Sequence, residues 1–142
     1  MFSKEEAKKL RQDFWISFGK SFPRKWILYN TGIKDSSFKF HFDLKRAMVS
    51  FDIETQDLEK RLEVWEKLMS LKSILLEEYL PKALSEDTVF LDNGKEISRI
   101  SVGLENVSIH NKNTWQETMV FFKDQMAAFE EFYNQYEDII KP

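Results

Sequence analysis

Asp35, Lys39, Asp52 and Glu54 are the residue types that phosphoryl chemistry uses, three carboxylates and an ammonium within twenty residues. Carboxylates converging on one point can hold Mg²⁺, a hard cation that takes oxygen ligands and keeps several waters able to attack a phosphate. A lysine beside them would neutralise the scissile phosphate. Whether these groups converge depends on how Phe38 to Ile53 folds. Phe38, Phe40 and Phe42 alternate with Lys39, His41 and Asp43, and Ala47, Val49, Phe51 and Ile53 repeat the pattern. Such a period of two predicts two strands, each with one buried face. With Leu44 to Arg46 in the turn, Phe42 pairs with Ala47, Phe40 with Val49 and Phe38 with Phe51, which puts Asp52 and Glu54 on the polar face. Lys39 then lies diagonal to Asp52, and Asp35 approaches Glu54 if the pairing extends that far. Asp43 stays apart, since about nine residues at roughly 3.3 Å each separate it from Asp52 along the chain. Without a metal, the same pattern describes a solvated strand face with weak ion pairs.

The elements that must position these groups follow from periodicity. Ser3 and Glu6 form a capping box ahead of Ala7, Leu10, Phe14, Phe18 and Phe22, predicting a first helix that ends before Pro23. Trp26 to Tyr29 is consistent with a first strand and "NTG" with a loop. Leu58, Leu62, Trp65, Leu68, Met69, Leu75 and Leu76 predict a second helix from Asp57 to about Leu80, stopped by Pro81. Asn93-Gly94 between two β-compatible runs predicts a hairpin with a type I′ turn, and "VSIH" (Val107 to His110) a last short strand. Asn113 and Gln116 then form a capping arrangement for a third helix. Its stripe runs through Trp115, Met119, Phe122, Met126, Phe129, Tyr133, Tyr136 and Ile140. The order αβββαββ(β)α makes one α/β (α+β) domain over residues 1–142: a single mixed, mainly antiparallel sheet flanked by three long helices.

That reading turns the most conspicuous polar stretch, "GLENVSIHNKNTW", into a strand end, a turn and a helix cap. His110 beside Asn111 and Asn113 fits hydrogen bonding within a turn. His41 and His110 are the only histidines and neither has a second His or Cys at ligand spacing, so a zinc site is not expected. The absence of Cys excludes disulfides and thiolate chemistry and fits a reducing, cytoplasmic setting. No Gly-rich phosphate loop, Gly-x-Ser-x-Gly elbow or His-Glu-x-x-His motif is present. No apolar run approaches the roughly 20 residues that cross a bilayer, and the charged N-terminus has no signal-peptide pattern.

Net charge is −3 but uneven: residues 1–46 carry eleven Lys/Arg against five Asp/Glu, and the remainder ten against nineteen. Lys20, Arg24, Lys25, Lys34, Lys45 and Arg46, with Lys39, fall in this basic third among Trp26, Tyr29 and Phe38. Phosphate contacts beside stacking rings are the ingredients of sequence-tolerant nucleic-acid binding. A third helix of about 25 residues at 1.5 Å each is longer than a sheet layer can cover. Its last turns would therefore pack on another helix or on a second copy, making a homodimer.

The runs "FWISFGK" (Phe14 to Lys20), "WILYNTGIKD" (Trp26 to Asp35), "SRI" (Ser98 to Ile100) and "VSIHNKNTW" (Val107 to Trp115) resemble the bacterial family catalogued as domain of unknown function 4268, over nearly the whole chain. The family carries no assigned activity. In some longer relatives a similar domain follows a nuclease-like region, which implies an association with nucleic-acid transactions. An αβββαβ order also resembles the core of restriction-endonuclease-like nucleases, whose pattern places a Lys two positions after an acid. Here "DIE" has Glu54 in that place, which puts cleavage in doubt. The expectation is a non-catalytic interaction or accessory module without a cofactor, binding a protein or a nucleic acid. The alternative is an atypical Mg²⁺-dependent nuclease using Asp35, Asp52 and Glu54 for metal and Lys39 for the phosphate.

Overall fold

The structure, a computed structural model, describes residues 2–142. Helix α1 (Lys4–Ser21) starts at the expected capping box: the Ser3 hydroxyl accepts the Glu6 amide and the Glu6 carboxylate accepts the Ser3 amide. Two strands follow, β1 (Ser36–Phe42) and β2 (Arg46–Ile53), then α2 (Leu58–Ser70), a single turn α3 (Lys72–Ile74) and a π-helical turn (Leu75–Tyr79). After them come β3 (Leu84–Phe90), β4 (Glu96–Glu105), a 3₁₀ turn (Lys112–Thr114) and the long α4 (Trp115–Ile140). The four strands form one open sheet in the order β1-β2-β4-β3, and every pairing is antiparallel.

The β1–β2 register is the one the alternation dictates, with Phe42 opposite Ala47, Phe40 opposite Val49 and Phe38 opposite Phe51. Strand β4 extends that apolar face with Ile100 beside Phe51 and Val102 beside Val49. Helices α1 and α4 cover it. Phe122 of α4 meets the rings of Phe14, Phe18, Phe40 and Phe42 at centroid distances of 5.0 to 6.2 Å, while Phe129 and Tyr133 meet Phe38 and Phe51. These contacts, most of them edge-to-face, join helix, hairpin and helix in one aromatic core.

Several expectations change. Trp26 to Tyr29 is a loop: Leu28 adopts a positive φ of 50°, and the Ile27 amide donates to the Glu130 carboxylate of α4 where a strand would use a neighbouring carbonyl. The αβββαβ order of the endonuclease-like core is therefore not formed. Val107 to His110 is also a loop, and the sheet has no parallel pair among the described residues. The Asn93-Gly94 turn has positive φ at Gly94 alone, with the Gly94 amide bonded to the Leu91 carbonyl and the Leu91 amide to the Lys95 carbonyl. This is a three-residue hairpin loop closed by a left-handed glycine, not a type I′ turn.

The second helix breaks after Ser70, and its buried stripe is Arg61, Val64, Trp65 and Leu68, leaving Leu58 and Leu62 exposed. The rotation has a cause in Arg61, which is drawn inward to bond the Glu96 carbonyl and carboxylate. At the start of α4, Asn111 rather than Asn113 caps the 3₁₀ turn, accepting the Asn113 amide. The last turns of the α4 stripe find partners within the chain. Phe132 contacts Tyr79 and Tyr136, and Ile140 is buried. No helix is long and apolar enough to cross a membrane among the described residues.

Candidate functional site

The second face of the sheet carries the groups that could do chemistry. Alternation along β1, β2 and β4 places Lys39, His41, Ser50, Asp52, Arg99 and Ser101 together there, away from the aromatic core. Asp52 is fully buried and faces Arg99 across the β2–β4 pair. The guanidinium donates from Nε to Oδ1 at 2.8 Å and from Nη2 to Oδ2 at 2.9 Å, the planar fork matching both carboxylate oxygens. Lys39 Nζ lies 2.7 Å from Glu54 Oε2 and 3.5 Å from Asp52 Oδ2, and Lys95 Nζ lies 3.5 Å from Glu54 Oε1. The His41 ring shares a 2.8 Å hydrogen bond with the buried Ser50 hydroxyl.

These contacts set the protonation states. Burial alone would raise the Asp52 carboxyl, but the hydrogen bonds and charge of Arg99, with Ser50 and Lys39 adding to them, hold it below the ordinary aspartate value. Arg99 is raised by the same hydrogen bond. Desolvation pushes His41 down to about 4; the pull of Asp52 opposes this, and the cations Arg99, Lys39 and Arg46 reinforce it. At neutral pH the face therefore holds a neutral imidazole beside a clasped carboxylate.

Asp52, Glu54 and Lys39 come together, while Asp35 takes another role. It sits in an exposed turn with φ of 58°, and only its backbone carbonyl reaches Glu54, accepting the amide at 2.7 Å. Among the described residues no three His, Cys, Asp or Glu side chains are grouped to hold a metal. The basic residues divide between the two ends of the hairpin. Phe14 contacts Phe42 and Phe18 contacts Phe40, so α1 runs antiparallel to β1. That carries Lys20, Arg24 and Lys25 to one end and leaves Lys45 and Arg46 at the turn of the other. Lys34 lies near Asp35 at the rim of a cleft. Arg24 pairs with Glu130 at 2.9 Å and stacks over Trp26 at 4.4 Å, and Arg46 lies 3.5 Å from Glu105.

A family model described as Domain of unknown function (DUF4268) matches residues 10–137. The chain belongs to this family. No curated protein and no solved structure shows significant similarity to it.

The runs that mark this chain as a DUF4268 member perform identifiable structural tasks. In "WILYNTGIKD" the buried Thr31 hydroxyl donates to the Ser36 carbonyl at 2.9 Å and accepts the Ile33 amide, while Leu28, Gly32 and Asp35 supply positive φ. Two side chains of α4 fasten this loop. Glu130 accepts from the Ile27 amide at 2.6 Å and from Arg24, and the Tyr133 hydroxyl donates to the Thr31 carbonyl at 2.5 Å. In "VSIHNKNTW" the Thr114 hydroxyl accepts the Ser108 amide and donates to the Asn111 carbonyl at 2.7 Å, and Trp115 Nε1 donates to the Ile109 carbonyl. His110 makes an edge contact with Phe2. "SRI" contributes Arg99.

Arg61, Arg99 and Glu130 were not singled out by the sequence patterns. For Arg61 and Glu130 a signal exists: each is a charged residue at a position that continues an apolar helical stripe, with Val64, Trp65 and Leu68 or with Met126, Phe129 and Tyr133. Such residues are buried only when paired. For Arg99 the signal is absent, because its partner belongs to a strand 47 residues earlier.

Proposed function

We propose that the chain is a non-catalytic interaction module that presents the charge-patterned sheet face opposite the aromatic core. The observation supporting this is the position of Lys39. Its ammonium stands between Asp52 and Glu54, at 3.5 and 2.7 Å, where a shared divalent cation would have to sit. A metal site needs carboxylate lone pairs directed at a common open point. Both Asp52 oxygens are directed at Arg99, and Glu54 is divided between Lys39 and Lys95. Incubating plasmid and single-stranded DNA with the protein in Mg²⁺ or Mn²⁺ should leave both intact. Cleavage that disappears in Asp52→Asn would establish the nuclease alternative.

A second reading, contact with a nucleic-acid backbone, is favoured by the end of α1. Lys20 and Lys25 are exposed, and Arg24 stacks on Trp26 beside them. Cations next to an aromatic surface suit phosphate contact with base stacking. Fluorescence anisotropy with a labelled oligonucleotide should give affinity that falls steeply with salt and is weakened by Lys20→Glu with Lys25→Glu. No complex at low salt would remove this reading and leave a protein partner.

A further inference from the structure

We propose that the cleft between the open end of the β1–β2 hairpin and the first turn of α2 binds a small organic anion with an apolar body, of the class of short aliphatic carboxylates. The cleft has a volume of about 370 Å³, within the range of small-ligand pockets. Ile33, Ile53 and Val64 give it an apolar floor. Ser36 lines it as well, and the register explains why. Ser36 pairs with Ile53 and shares the helix-covered face of Phe38, so its side chain lies beneath α2 rather than in solvent.

Ser36 is 3% exposed, and its hydroxyl has no hydrogen-bond partner in the protein. A buried hydroxyl in that state is costly unless a group in the adjoining space bonds it. Around the same space the electrostatics favour an anion. The first turn of α2 borders the cleft through Asp57 and Lys60, so the positive end of the helix dipole lies beside it. Lys34 and Lys60 line the rim, and among the described residues neither has a carboxylate within ion-pair distance. The acids that share the lining are engaged, Asp57 in capping and Glu63 beside Lys67 at 3.6 Å. An apolar chain on the Ile33, Ile53 and Val64 floor would thus bring a carboxylate toward the Ser36 hydroxyl and the two ammonium groups of Lys34 and Lys60.

Two-dimensional amide NMR of the full chain titrated with hexanoate tests this, with hexylammonium and hexanol as matched probes. Hexanoate should produce saturable shifts centred on Ser36, Ile53, Thr55 and Lys60, and hexylammonium none. Ser36→Ala should weaken hexanoate about three- to tenfold, the range for one hydrogen bond. Lys34→Gln with Lys60→Gln should weaken it further, with spectra showing the fold intact. Shifts that never saturate, an equal response to hexylammonium, or affinity unchanged in these variants would overturn the proposal and leave the cleft a solvent-filled groove.

Discussion

Arg99 on β4 holds both carboxylate oxygens of Asp52 on β2, and the acid it holds is inaccessible to solvent. The pair stitches the two central strands together on the face opposite the aromatic core. Removing one partner strands the other charge in a poorly solvated site, at a cost of about 3–5 kcal/mol. Urea denaturation should show Arg99→Leu destabilised by that amount. The double variant Arg99→Leu with Asp52→Leu should lose less than the single one, because no charge remains buried. A loss near zero in Arg99→Leu would mean that the clasp is open in solution.

His41 makes stability pH-dependent in a defined window. Its folded-state value of about 4 lies below its ordinary value near 6.5, so between these limits the unfolded chain binds the proton more tightly. Stability is therefore lost as pH falls from about 6.5 to about 4, on the order of 2–3 kcal/mol in total. Asp52 acts at lower pH. Its depressed carboxyl stabilises the fold above the unfolded aspartate value, and that contribution disappears as acid protonates it in the native state. Melting curves from pH 7 to pH 4 should flatten in His41→Gln, and an unchanged slope would assign the acid sensitivity elsewhere.

Phe122 joins α4 to α1 and β1 through one ring. Phe122→Ala should cost about 3–5 kcal/mol, the range for deleting a fully buried aromatic side chain. Phe121→Ala, altering its half-buried neighbour, should cost distinctly less. Chemical denaturation of the two variants checks the contrast.

Glu130 and Tyr133 fasten the loop between α1 and β1. Glu130→Ala should destabilise the protein by about 2–3 kcal/mol, since it removes two charge-assisted hydrogen bonds and frees the Ile27 amide. Tyr133→Phe should cost about 1 kcal/mol through the lost bond to Thr31. Hydrogen exchange at Ile27 should accelerate in Glu130→Ala before the core amides respond.

The hairpin, its register and the aromatic stripe of α4 were legible in the sequence because each depends on local periodicity. Phe38 to Ile53 alternates so regularly that a shift of one residue would send its rings into solvent. Trp26 to Tyr29 misled for the opposite reason. Its β-compatible side chains are held in a loop by a glutamate 103 residues away, and nothing local announces Leu28 at positive φ. In α2, Trp65 and Leu68 of the expected stripe are buried but Leu58 and Leu62 are not. These two leucines fit the spacing as well as Arg61 does, and only the pairing of Arg61 with Glu96 turns that first part of the face inward. The candidate site was half visible. Lys39, Asp52 and Glu54 converge as the register implied, but Arg99 and Lys95 arrive from the second hairpin, and they turn a group of acids into a neutralised network.

Isothermal titration of the folded protein with Mn²⁺ tests most directly whether that network is a clasp rather than a metal centre. With the Lys39 ammonium between Asp52 and Glu54, no saturable heat is expected, and Asp52→Asn should give the same flat trace. Stoichiometric binding by the wild type that is abolished in Asp52→Asn would contradict the account.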